Sequence, residues 1–326
     1  VSELHKFIFD GIPVRGVLVR LTDSWQTLIH DRTQSSSGAY PAEVQQLLGE
    51  MAAASVLMQA NIKFNGALIM QMHGDGPVKL AVAEVQPHLS FRATAQQAAH
   101  TSEAKVTDSF SGFAPLQSLF NAQGQGRCAI TLDPLDRLPG QQPYQGIVPL
   151  HNAQGQPLAT LAEVIEHYML QSEQLETRLV LAANADCAAG ILLQRLPHTS
   201  HTSHEEKDLR ETEDFNRLSH LLATLSPEEL LSLDAQTLLH RLFWEEELRL
   251  LLPTLYPSYS CRCTRQRVAR MLLSLGQHEA QDIIAEQGQI DIGCEYCGKH
   301  YFFDSVDIGQ LFTPEADQAP SSSSMQ

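Results

Sequence analysis

Four of the six cysteines of this chain fall in one late stretch, at spacings that suit metal binding or redox chemistry. Cys261 and Cys263 form a Cys-x-Cys pair, and Cys294 and Cys297 form a Cys-x-x-Cys pair flanked by Gly293 and Gly298, with thirty residues between the pairs. Thiolates are soft donors, and four of them suit a tetrahedral zinc ion. An iron–sulfur centre fits the Cys-x-Cys half less well. Either pair alone is a weak signal; both together, bracketing short helices and a hairpin, are a strong one. Spacing alone leaves a passive zinc ribbon and a redox-responsive site equally open. Adjacent thiolates can be oxidised to disulfides, which removes the ligands. Arg262, Arg265, Arg267 and Lys299 place positive charge near the sulfurs and favour thiolate over thiol, although a solvated helix face explains Arg267 as well.

The elements around these cysteines are short. Thr264 is placed to cap a helix that runs through Leu275 and stops at Gly276, and a second helix from Glu279 to Gln287 stops at Gly288. The Cys-x-x-Cys turn joins two strands, Gln289 to Ile292 and Lys299 to Phe303, and Asp304 caps a last helix to Leu311. Residues 255–312 thus form a domain too small to rely on an apolar core. A four-cysteine zinc site contributes about 10–16 kcal/mol in small peptides at neutral pH. Metal therefore decides whether this domain is folded.

The region before it divides in two. Residues 1–197 read as an α+β domain of mixed strands and helices. A short helical start precedes a strand at Val14 to Val19. From Pro41, Val44, Leu47, Leu48, Met51, Ala54 and Met58 mark one apolar helix face. Strands are expected at 67–72 and 78–85 around the turn 73–77, then at 89–95, 128–132, 144–150, 177–183 and 191–196. A helix from Pro157 to Glu173 falls between the last two pairs. Cys128 and Cys187 sit in apolar strand contexts and read as small buried residues. Residues 198–254 form a helical linker with 12 acidic and 5 basic side chains. Ser226, Pro227 and Glu229 make a capping box, and Asp234 caps a helix to Trp244. This linker cannot build its own core, so it must dock or be marginal. His198, His201 and His204 at its start read as loop rather than ligands, and residues 313–326 as a disordered tail.

Composition narrows the function. The formal net charge of −16 argues against a nucleic-acid surface, because phosphate binding rests on clustered Lys and Arg. No stretch approaches the roughly 18–20 apolar residues of a membrane span, and Val1 to Arg20 lacks a secretory pattern. A cytoplasmic protein is expected, where paired cysteines serve as ligands or redox centres rather than permanent disulfides. No phosphate loop, nucleophile–base–acid set or carboxylate pair stands out, so no enzyme is expected. A thiol–disulfide oxidoreductase is the first alternative, but its Cys-x-x-Cys should open a helix after a strand. A passive zinc-ribbon binding module is the second.

Cys261-Arg262-Cys263 and residues 285–301 (AEQGQIDIGCEYCGKHY) resemble the redox-regulated holdase chaperones of the 33 kDa chaperonin, or heat-shock protein 33, family. Supporting marks are residues 64–66 (FNG), 71–77 (QMHGDGP), 168–174 (YMLQSEQ) and 241–247 (RLFWEEE). The resemblance spans nearly the whole chain. It implies one zinc per chain, held by Cys261, Cys263, Cys294 and Cys297 in a reduced, inactive form. It implies that oxidation joins Cys261 to Cys263 and Cys294 to Cys297, releases zinc and unfolds the small domain and the linker. The exposed surface then binds unfolding client proteins without ATP, and a homodimer is the usual active form. Neither nucleic acid nor membrane is an implied partner. Cys128, Cys187, the serine-rich loop near Ser35 and the histidines of the linker depart from the family pattern.

Overall fold

The computed structural model describes residues 1–36, 38–98, 116–138, 140–197 and 205–313, and only the backbone of 205–209. The first part of the chain gives β1 (Glu3–Phe9), β2 (Ile12–Leu21), α1 (Asp23–Gln34), α2 (Ala42–Asn61), β3 (Gly66–His73), β4 (Val78–Val85), β5 (Ser90–Gln97), α3 (Leu116–Phe120), β6 (Arg127–Pro134), β7 (Tyr144–Pro149), α4 (Leu161–Ser172), β8 (Thr177–Ala183) and β9 (Ala188–Arg195). The rest gives α5 (Glu205–Ala223), α6 (Pro227–Ser232), α7 (Ala235–Phe243), β10 (Leu248–Leu255), β11 (Ser258–Tyr259), α8 (Arg265–Leu275), α9 (Gln277–Gln287), β12 (Ile290–Gly293), β13 (His300–Phe303) and α10 (Ser305–Leu311). Helices and largely antiparallel sheets without regular alternation make an α+β fold, as expected.

Helix α2 is the centre of the large domain. It lies between a five-stranded sheet in the order β10-β1-β2-β9-β8 and a six-stranded sheet in the order β11-β5-β4-β3-β6-β7. The sequence predicts one apolar face; the structure buries every residue from Leu47 to Ala60 except Glu50. Small side chains make this possible. Ala52, Ala53, Ala54 and Ser55 let both sheets approach, and a β-carbon on Gly49 would lie 2.5 Å from that of Ala183.

Two expectations for the N-terminal domain fail locally. The helical start is instead β1, paired antiparallel with β2 on one side and with β10 on the other. It sends Leu4 into the core around α2, and Phe7 and Phe9 to the opposite face of the sheet. Residue types that permit a helix here are overridden by pairing on both edges. The helix expected from Pro157 begins only at Leu161. Thr160 is its N-cap and accepts from the Glu163 N–H at 3.2 Å, while Pro157 bridges back to His151.

The linker docks, as its composition requires. Phe215, Leu218 and Leu222 of α5, Leu230 of α6, and Leu238, Leu239, Leu242 and Phe243 of α7 cover Phe7, Phe9, Val14, Leu18, Ile191 and Leu193 on the outer face of the five-stranded sheet. Phe243 meets Phe9 edge-on at 5.1 Å. The linker is not helical throughout, however. Its last residues form β10, whose leucine-rich run pairs with the otherwise open edge of β1. His198, His201, His204 and the tail from residue 314 lie outside the described residues.

Candidate metal centre

Two local structures deliver the four thiols. Strand β11 runs parallel to β5, and the Ser260 N–H donates to the Phe91 carbonyl at 3.0 Å. Cys261 follows directly, so the first pair leaves the large domain at a fixed point. Cys263 then precedes Thr264, which caps α8 by accepting from the Arg267 N–H at 3.2 Å. Cys294 and Cys297 occupy the turn between β12 and β13. The Cys294 N–H donates to the Lys299 carbonyl at 2.9 Å, and the Gly298 N–H returns to the Cys294 carbonyl at 2.7 Å. Gly298 has φ of +68°, a left-handed conformation that favours glycine.

The four Sγ atoms lie within 4.8 Å of one another, an arrangement that could hold a metal ion. Two contacts cross between the pairs, 3.6 Å from Cys261 to Cys294 and 3.3 Å from Cys263 to Cys297. All six cysteines are free. The Tyr301 hydroxyl donates to Cys263 Sγ at 3.2 Å. A hydrogen bond from Cys261 is the main cause that draws the Cys294 thiol down to about 4, helped by the N–H groups of Cys297 and Tyr296. Cys261 moves up in consequence, and burial raises Cys297 to about 11. The crossing contact with Cys261, with the N–H groups of the turn, thus favours one thiolate, and a cation would be needed to bring the others to that form.

The apolar support of this unit is small. Leu272, Ala280, Ile290, Tyr301, Phe303 and Ile308 are its buried residues, and α8 and α9 are otherwise largely exposed. Cys128 and Cys187 lie elsewhere, in the two cores of the large domain. Burial pushes the Cys128 thiol up to about 12 and raises that of Cys187. Both are buried thiols with little thiolate character, and neither joins the cluster.

Comparison with known proteins places the chain in a family. The family model described as Hsp33 protein matches residues 2–304. The chain belongs to the Hsp33 family. Curated relatives carry the name 33 kDa chaperonin. That of Chromobacterium violaceum is 43% identical over 311 residues, covering 95% of this chain and 94% of its own. That of Methylobacillus flagellatus is 40% identical, covering 96% and 95%. The solved structure of a heat shock protein 33 homolog from Thermotoga maritima superposes with a TM-score of 0.69, covering 95% of this chain and 97% of that one, at 19% identity. That likeness establishes the shared fold. Among the described residues no helix is long and apolar enough to cross a membrane.

Proposed function

We propose that this chain is a redox-regulated, ATP-independent holdase chaperone of the cytoplasm, and not an enzyme. One observation carries the reading: a cluster of four thiols on a unit with little core of its own, which follows in the chain a linker that covers an apolar sheet face. The names of the relatives support a chaperone.

Cys261, Cys263, Cys294 and Cys297 hold one zinc ion in the reduced form. Zinc–sulfur bonds of about 2.3 Å give tetrahedral edges of about 3.8 Å, close to the spacing of the thiols here. When bound, the ion supplies the main stabilisation of residues 255–312. Oxidation joins Cys261 to Cys263 and Cys294 to Cys297. As each S–S bond forms, its two thiolates give two electrons to one hydrogen peroxide, whose O–O bond breaks; with two protons that peroxide becomes two waters. The donors are then gone, the small domain loses its stabilisation, and the linker 198–254 loses the folded unit to which β10 and β11 connect it in the chain. Release of α5–α7 uncovers Phe7, Phe9, Val14, Leu18, Ile191 and Leu193, an apolar face for unfolding client proteins. A homodimer is the expected active form.

The oxidoreductase alternative is less well supported. Its Cys-x-x-Cys belongs at the start of a helix, and here the motif joins two strands. The net charge of −16 argues against a nucleic-acid partner. The test measures zinc content, free thiols and suppression of aggregation of a heat-denatured client, before and after peroxide. The reduced protein should hold one zinc and leave aggregation unchanged. The oxidised protein should lose four thiols with the zinc and suppress aggregation. Equal suppression in both states overturns the switch.

A further inference from the structure

The residues between the paired cysteines are bound to the large domain. Arg262, between Cys261 and Cys263, forms an ion pair with Glu84 of β4. The Glu84 side chain is only 6% exposed and also accepts from Arg92 of β5, through Nε at 2.9 Å and Nη2 at 2.5 Å. Tyr296, between Cys294 and Cys297, lies under the Arg92 guanidinium at 4.0 Å. Beside it the Glu295 carbonyl accepts from the Thr94 hydroxyl at 2.6 Å. Just past Cys297, Gly298 rests on the loop after α1, where a β-carbon on the glycine would lie 1.9 Å from that of Ser35. The Ser36 hydroxyl lies 3.0 Å from His300 Nε2. Both cysteine turns therefore sit on one patch formed by Ser35, Ser36, Glu84, Arg92 and Thr94.

A carboxylate removed from water between two guanidinium groups is tolerated only while both remain in place. Arg92 belongs to the large domain and Arg262 to the first cysteine turn, so Glu84 fixes one against the other. Arg92 then fixes the second turn through Tyr296. Four thiolates around a divalent cation also leave an excess of negative charge, which two nearby guanidinium groups offset. Disulfide formation removes that charge and leaves Arg92 and Arg262 facing each other across a single carboxylate.

We propose that Glu84 and Arg92 are positioning residues for the metal centre: the sheet of the large domain sets the separation of the two cysteine pairs and so the affinity for metal. This rests on the reading that the four thiols bind zinc. By linkage, metal in the centre tightens the seat of the small domain by the same factor that the seat tightens metal binding. Loss of the thiol donors is thereby transmitted to the large domain through side-chain contacts as well as through the chain.

The test uses full-length reduced protein and measures zinc affinity by competition with a chromogenic chelator. Glu84→Gln and Arg262→Met should each weaken zinc binding about tenfold or more, and the double variant should be no worse than the weaker single one. Arg270→Met, on the exposed side of α8, should bind as the parent does. Ser35→Phe wedges Gly298 away from outside the ion cluster and should weaken binding as well. If Glu84→Gln fails to fold, Ser35→Phe decides the question. Parental zinc affinity in the folded variants overturns the seat. A parent protein that binds no zinc overturns the underlying metal reading instead.

Discussion

Arg20 of β2 donates from Nη1 to the carbonyl oxygen of Leu230 at 2.8 Å. The same side chain also reaches the carbonyls of Leu231, at 3.0 Å, and Leu233. One guanidinium thus satisfies the carbonyl end of the short helix α6 and fixes the linker to the five-stranded sheet. Hydrogen bonds to a charged group contribute about 1.5–3 kcal/mol each in favourable settings, and three on one side chain are not additive. Arg20→Met should loosen linker docking by about 2–3 kcal/mol. Hydrogen exchange reads this directly: protection should fall in α6 and α7 and stay unchanged in β3 and β4. Unchanged protection in α6 would assign the linker's hold to its apolar residues alone.

A cysteine substitution separates the two classes of thiol. Cys263→Ser removes one of four donors from a unit with six buried apolar residues. Metal contributes about 10–16 kcal/mol to such domains, so residues 255–312 should lose zinc and most of their ordered structure. Cys128→Ala leaves a small void in the core around α2 and should cost about 1 kcal/mol while keeping the full zinc content. Metal analysis with a two-dimensional NMR spectrum of each variant checks both outcomes. Retention of stoichiometric zinc by Cys263→Ser would remove that residue from the ligand set.

What could be read from the sequence follows from how local each signal is. The caps Thr264, Ser226 and Asp234, the stop at Gly288 and the paired cysteines act over three or four residues, and all lie where their spacing places them. Strand β1 could not be read in this way, because its second neighbour, β10, lies more than two hundred residues away in the chain. The same separation hid the strand at the end of a linker that otherwise reads as helix. Of the candidate metal site, the thiols were legible and their seat was not. Glu84 and Arg92 alternate with apolar residues in ordinary strands, and only the folded chain brings them against Arg262 and Tyr296.

Tyr301 offers a test of how the protein restrains its own thiols. Its hydroxyl donates to Cys263 Sγ at 3.2 Å, while its ring belongs to the small apolar core. A donor to a thiolate stabilises the charge and lowers its nucleophilicity. Tyr301→Phe keeps the ring and removes the donor. Peroxide should then consume the thiols of the reduced protein about 3–10-fold faster, since only part of a charged hydrogen bond is lost at the barrier. Rapid-mixing measurement of thiol loss gives the rate. An equal or slower rate would show that this contact does not govern reactivity.

Glu50 gives the large domain a pH dependence of its own. It stands on α2, next to a helix turn packed between the sheets, and burial raises its carboxyl to about 7 despite a hydrogen bond from Gln46 at 3.0 Å. A carboxyl whose folded value lies above its unfolded one favours the folded state while protonated in both. That contribution is complete below the unfolded value near 4.5 and is lost as pH rises to about 7. The loss is at most about 3 kcal/mol, and smaller because Glu50 keeps some contact with water. Glu50→Gln removes the titration without emptying the site. The variant should therefore be more stable than the parent at pH about 8, by about 1–3 kcal/mol, with the difference vanishing near pH 4.5. Urea unfolding at the two pH values supplies the comparison, and other carboxylates cancel because they are common to both proteins. A difference that does not change with pH would mean that the Glu50 charge is already solvated in the folded chain.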